Sequence, residues 1–198
     1  MGEWTSADEI SIAYGLDSWK PTAGTLVAGQ VSRQRRDGRR LVFAKGKLSY
    51  ATGAAPAAEW TFPAPLGKQP VIAEFTMADT VTISRHIKTP EIRSYMTVSA
   101  VRDLTAPNHI APVASDDSGR SSQNFVLEVL ARRGSEERRA SASGRDIYAF
   151  SAPLVVEAMV RVLGGEAKTT GVLTAGEAFD ARDFLASLSP EHLRVEFR

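Results

Sequence analysis

The chain has 198 residues, enough for one domain with a substantial core, and it balances 24 Lys+Arg against 23 Asp+Glu for a formal net charge of +1. That balance excludes a global field drawing the protein to nucleic acid or to a membrane surface, and leaves only local charge clusters to consider. The absence of cysteine excludes a disulfide framework, a thiolate metal site and a cysteine nucleophile, and it suits a reducing cytoplasm. Residues 1–5 carry no basic segment leading into an apolar run, and no apolar stretch is long enough to span a bilayer, so a soluble cytoplasmic protein is expected.

Ile10, Ile12, Tyr14 and Leu16 alternate with smaller or polar residues, the period of a strand with one buried face. Asp17-Ser18-Trp19-Lys20-Pro21-Thr22 reads as a turn whose Thr22 caps a helix carrying Leu26, Val27 and Val31 on one face. The basic run 33–40 holds the turn signal Asp37-Gly38 and leads into a strand at 41–43, with a second break at 53–56. Strands follow at 59–62 and 71–75, and Val81 with Ile83 continues the strand pattern towards Arg85-His86. Residues 91–104 fit both periods; a strand followed by a short helix is the favoured reading. Residues 105–122 form a loop rich in Pro, Ser, Asp and Gly, of a length that is often functional. Alternation at Phe125, Leu127 and Val129, or at Val126, Glu128 and Leu130, followed by Gly134-Ser135, predicts a hairpin returning through 138–143 into a short strand at 145–150.

That hairpin feeds the stretch on which the chain is expected to centre. Leu154, Val155, Val156, Ala158, Met159, Val160, Val162 and Leu163 leave only Glu157 and Arg161 polar in a helix stopped by Gly164-Gly165, so this helix is expected inside the protein. Ser151 is placed to cap it, Pro153 fits its first turn, and Glu157 and Arg161 stand four residues apart, within reach of each other. Thr174 and Glu177 have capping-box spacing, a last helix carries Phe184, Leu185 and Leu188, and Leu193, Val195 and Phe197 close the chain as a strand. Strands outnumber helices and hairpins dominate, which predicts a single α+β domain with a mainly antiparallel mixed sheet packed on helices.

Histidines at 86, 109 and 192 are the side chains that titrate nearest neutrality, and none has metal-ligand spacing. His86 follows Arg85, a cation that favours the uncharged ring of a general base; the other reading is a strand-end histidine bonded to backbone. The turn 19–25 places Thr22 and Thr25 hydroxyls and backbone N–H groups at a helix N-terminus, where an anion is favoured, though neither a Walker loop nor GxGxxG is present. Arg120, in Asp116-Asp117-Ser118-Gly119-Arg120-Ser121, is a candidate for binding a carboxylate or phosphate, or belongs to a solvated loop. The arginine clusters at 33–40 and 132–139 lack interleaved aromatics, which argues against nucleic-acid binding, and no GxSxG elbow marks a serine hydrolase.

Trp19-Lys20-Pro21-Thr22-Ala23-Gly24-Thr25, Thr82-Ile83-Ser84-Arg85-His86, Gly119-Arg120-Ser121-Ser122-Gln123, Gly171-Val172-Leu173-Thr174-Ala175-Gly176-Glu177-Ala178-Phe179 and above all Gly144-Arg145-Asp146-Ile147-Tyr148-Ala149-Phe150-Ser151-Ala152-Pro153-Leu154-Val155-Val156-Glu157-Ala158 resemble the C-terminal half of saccharopine dehydrogenase-like oxidoreductases. The resemblance spans most of residues 1–198 and implies the α+β domain that supplies the substrate side, and often the dimer contact, beside an N-terminal Rossmann domain binding NAD(P). The Gly-rich fingerprint is missing, so no cofactor is expected on this chain itself, and NAD(P) enters only with a Rossmann partner.

Two enzymatic readings follow, and both take a small-molecule substrate. A detached substrate domain should expose the apolar face that met its Rossmann half, including 179–188, and dimerise through it. A stand-alone, cofactor-free isomerase or cyclase acting on an apolar metabolite should close that face and keep a pocket. His86 or Tyr148 would then transfer the proton, and Arg85, Arg120 and Trp19 would orient the substrate. A third reading, a non-catalytic homodimerisation module, requires a large isologous apolar interface and no pocket.

Overall fold

The strand β1 (Glu9–Leu16) lies parallel to β6 (Glu91–Thr97) on one edge and antiparallel to β7 (Asn124–Arg133) on the other. Its Ile10, Ile12 and Tyr14 stand beside Ile92, Ser94 and Met96, and Ile10, Ile12, Tyr14 and Leu16 stand beside Ala131, Val129, Leu127 and Phe125. Side chains alternate between faces with a period of two, so these rows form one continuous, largely apolar surface. The computed structural model describes residues 4–198; Met1, Gly2 and Glu3, part of the stretch read above as lacking a signal segment, lie outside them.

With β2 (Arg40–Ala44), β3 (Lys47–Ala51), β4 (Ala57–Thr61), β5 (Lys68–Ala73), β8 (Glu136–Arg145) and β9 (Arg194–Phe197), the sheet has nine strands in the order β3-β2-β6-β1-β7-β8-β9, with β5 also on β6 and β4 on β5. Only β1 and β6 are parallel; the other pairs are antiparallel. The helices are α1 (Ala23–Arg35), α2 (Asp79–Ser84), α3 (Val98–Leu104), α4 (Ser151–Leu163), α5 (Ala175–Ala178) and α6 (Ala181–Ser187). The protein is thus a single α+β domain on a mostly antiparallel mixed sheet, and among the described residues no helix is long and apolar enough to cross a membrane.

β1 is buried on both faces rather than one. Its second face is covered by the connection from β4 to β5: a Cβ at Gly15 would fall 2.5 Å from Leu66 and 2.9 Å from Phe62, so only glycine admits that close crossing. On β6, β2 pairs at Glu91 and Ile92 while β5 pairs at Tyr95, Met96 and Thr97, all on the edge that β1 leaves free, so the sheet forks there.

The largest departure from the sequence reading is α4. It is an exterior helix: Val155, Val156, Met159, Val160, Val162 and Leu163 are exposed, Leu163 to 80%, whereas Arg161 is buried. The two charged side chains face inward, Arg161 donating from Nε to Glu157 (2.6 Å) and from Nη1 to Asp183 of α6 (2.5 Å), and Ser187 of α6 donating to Glu157 (2.8 Å). Leu154 and Ala158 complete the inner side against Phe179, Phe184, Leu188 and Leu193. A helix apolar nearly all round does not declare which stripe the chain covers, and here polar pairing decided it. The 179–188 region, expected as an exposed docking face, is consequently buried at Phe179, Phe184 and Leu188.

Smaller corrections have local causes. Val81 and Ile83 lie in α2, not a strand; Asp79 accepts a hydrogen bond from the hydroxyl of half-buried Tyr14, and Thr80 pairs with Ser94 at 3.2 Å, fixing this turn of helix onto β6. The strand expected at 145–150 ends at Arg145, because Asp146 adopts φ +62° and turns the chain. Ser151 caps nothing and instead donates to the Ile147 carbonyl (3.2 Å). α1 buries none of its residues, so its expected apolar face stays in solvent at Val27 and Val31. The Thr22 cap and the Thr174–Glu177 capping box are present.

These burial assignments are testable. Phe184→Ala should cost about 3–5 kcal/mol by chemical denaturation, whereas Val156→Lys, on the outer face of α4, should change stability by no more than about 0.5 kcal/mol.

Candidate functional site

Four of the candidate residues meet at one oxygen. The Tyr148 phenol accepts from Trp19 Nε1 (2.8 Å) and from the Thr22 backbone N–H (3.3 Å), and lies 2.9 Å from Thr25 Oγ1. Both nitrogens can only donate, so they occupy the phenol lone pairs, and the Tyr148 O–H points to Thr25. Thr25 in turn lies 3.0 Å from Thr22 Oγ1, which already accepts from Thr25 N (3.2 Å). The donors therefore run from Tyr148 through Thr25 to Thr22, and the Thr22 hydroxyl proton is left at the outer end of the chain.

Asp146 positions this cluster. Its carboxylate accepts from the backbone N–H groups of Ser121 (2.7 Å), Tyr148 (3.0 Å) and Ala149 (3.1 Å), while its own N–H donates to the Gln123 carbonyl (2.8 Å). Burial pushes the Asp146 carboxyl up, but the N–H donors outweigh it and hold the group below the usual carboxylate range. Gln123 locks the same junction, donating from Nε2 to the Ser18 carbonyl (2.5 Å) and accepting the Ile147 N–H at Oε1 (3.2 Å). Sequence reasoning missed Asp146 and Gln123; the positive φ of Asp146 has only one sequence signal, an Asp where a strand abruptly ends.

Beside the cluster, Ser18, Lys20, Pro112, Val113, Ser121, Ser122, Gln123 and Tyr148 enclose about 40 Å³. That admits a few waters and no metabolite. Tyr148 and its partners thus form a preorganised polar cluster beside this small cavity.

His86 and Arg85 lie elsewhere, on the segment after α2. His86 Nδ1 donates to the Thr82 carbonyl (3.0 Å), sits 3.4 Å from Thr174 Oγ1, and its ring packs so closely on Gly176 that a Cβ there would fall 2.7 Å from Nε2. Arg85 donates from Nη2 to the Val172 carbonyl (3.0 Å) and faces Glu177 at 3.7 Å. Glu177 also accepts from the Thr174 N–H (2.7 Å), and this bond first of all holds its carboxyl below the ordinary range. Both side chains clamp the 172–177 segment against α2, and no hydrogen bond or ion pair joins either to Tyr148. Arg120 occupies a third place, a cleft beyond the 120–124 segment.

The fork in the sheet opens a further cleft of about 300 Å³, lined by Phe43, Phe75, Ile92, Tyr95 and the Thr80–Ser94 pair, with the Arg40–Glu74 ion pair (2.8 Å) joining its two arms. The strand-to-helix turn between β1 and α1 has no glycine cradle, and the space beside Gly15 before it is filled by Leu66 and Phe62. Among the described residues, no group of His, Asp and Glu could hold a metal ion. Neither a protein-family model nor a curated protein matches the chain.

Tyr148→Phe removes the acceptor of two donors and should cost about 1–3 kcal/mol. Because α1 has no buried residue, amide exchange across Ala23–Arg35 should accelerate in this variant before that of β1. A depressed folded-state pKa contributes stability above the ordinary Asp range that is lost as pH falls through the folded value. Thermal melting of the wild type between pH 5 and 2 should therefore fall more steeply than that of Asp146→Asn, which retains a residue suited to positive φ.

Proposed function

We propose that this chain is the substrate side of a saccharopine dehydrogenase-like NAD(P)-dependent oxidoreductase, with the dinucleotide bound by a unit outside these 198 residues. The observation that carries the reading is the exterior of α4, an apolar stripe without a charge, on the helix that begins three residues after Tyr148. Monomeric soluble proteins seldom expose a contiguous apolar surface of more than a few hundred Å². The convergence of two distant motifs, 19–25 and 144–158, on one phenol oxygen supports the same division of labour. Tyr148 and the hydroxyls of Thr25 and Thr22 would orient the substrate and move a proton at its reacting oxygen, and Trp19 would hold the phenol in place. A nicotinamide would supply the hydride. The setting proposed is the cytoplasm, in keeping with a chain that has no cysteine.

The cofactor-free isomerase or cyclase reading asks for an enclosed pocket shared by His86, Tyr148 and the arginines, and the supports above do not extend to it. A homodimer through α4 is the competing use of the same stripe.

Titration of the purified chain with NADPH and NADH, followed by nicotinamide fluorescence with mass measured by light scattering, tests the proposal. No saturable binding up to millimolar cofactor is expected, together with association through α4 that Val156→Lys/Val160→Lys abolishes when the apolar stripe is the only contact. Saturable cofactor binding by the chain alone would overturn the division of labour. Monomeric behaviour with no binding of an apolar dye at α4 would remove the stripe as a docking surface.

A further inference from the structure

Among the described residues, no hydrogen bond or ion pair reaches any position of 107–114, the span from Pro107 to Ala114. Other long connections are tied down along their length. In 52–56 the Gly53 carbonyl accepts from Arg40 and the Pro56 carbonyl from Ala73 N (2.8 Å). In 164–174 the Lys168 N–H donates to the Ala178 carbonyl (2.9 Å), and the Val172 carbonyl accepts from Arg85 (3.0 Å). A segment whose backbone bonds only to water opens at little cost in free energy.

The two feet of this strap, by contrast, are built into the Tyr148 cluster. At the first, the Thr105 N–H donates to the Val101 carbonyl (3.0 Å) at the end of α3, and Asp103 of the same turn accepts the Trp19 N–H (2.9 Å). At the second, the N–H and hydroxyl of Ser115 donate to the Arg120 carbonyl (2.8 and 3.0 Å), Asp116 pairs with Arg145 (2.6 Å), and the Ser121 N–H reaches Asp146 (2.7 Å). Trp19 and Asp146 are the residues that hold and present the Tyr148 phenol. Between its feet the strap passes beside that residue, since Pro112 and Val113 line the cavity of about 40 Å³ together with Tyr148, Ser18 and Gln123. Contact there is light: Val113 stays 66% exposed and Ile110 69%.

We propose that residues 107–114 are a gate on Tyr148, whose lifting turns a cavity that admits only water into an open cleft and whose return covers it again. Fixed ends, an unbonded span and a position beside a preorganised polar cluster are what an active-site lid requires. The inference rests on Tyr148 as a substrate-facing residue, in the function proposed above. Its readouts involve neither nicotinamide nor assembly, so each proposal can fail without the other.

Two measurements on the full chain test it. In amide exchange followed by NMR, residues 108–111, 113 and 114 should exchange at the rates of an unstructured peptide, while the N–H groups of Ser115, Ser121 and Tyr148 are protected. Protection of 108–114 equal to that of Ser115 would overturn the gate. Nitration by tetranitromethane, read by peptide mass spectrometry at each of the four tyrosines, measures access to the rings. Pro112→Gly/Val113→Gly should raise the Tyr148 rate about two- to sixfold, the inverse of an open population between about a half and a sixth. Tyr14, Tyr50 and Tyr95 should keep their wild-type rates, and the melting temperature should stay within about 2 °C of the wild type. An unchanged Tyr148 rate identifies a strap that covers nothing, and a larger loss of melting temperature identifies one that is packed into the fold; either result overturns the proposal.

Discussion

The candidate site depends on one carboxylate. Asp146 sits where β8 stops, in a backbone conformation that places its side chain back over the following turn, and three N–H groups from two separate segments converge on it. Desolvating a carboxylate is costly unless such donors replace water, and here they do. That bond set ends the strand, starts the approach to α4, draws the 121–123 segment alongside and presents Tyr148. Through Tyr148 it also retains α1, a helix with no buried residue, whose attachment at the site is polar rather than hydrophobic.

α4 illustrates the same priority of polar pairing over apolar burial. Turning Glu157 and Arg161 outward would hydrate both, yet it would leave Asp183 and Ser187 of α6 without those partners. The chain pairs them and leaves valines and a leucine in solvent, an arrangement that is costly in an isolated domain and favourable once another surface covers the helix.

Much of the site was legible in the sequence, for definite reasons. Thr22 before a helical run and Thr174 three residues before Glu177 are local signals, and local hydrogen bonds realise them. Trp19, Thr22, Thr25 and Tyr148 were each singled out, but nothing local tells that residues more than 120 positions apart share one oxygen. His86 and Arg85 were misplaced at a strand end because Val81 and Ile83 alternate over too short a span to separate period two from a single helical turn; contacts to Tyr14 and Ser94 settled it.

By itself the sequence determined the α+β class, the long β7–β8 hairpin, the strand-then-helix path through 91–104 and the caps at Thr22 and Thr174, because period and capping are properties of neighbours along the chain. The tertiary structure alone decided which stripe of α4 faces inward, that β1 is covered on both sides, that the sheet forks at β6, and that Asp146 joins Ser121 to Tyr148. Each of these is set by partners distant in sequence, whose hydrogen bonds and packing compete on nearly equal terms until the whole domain closes around them.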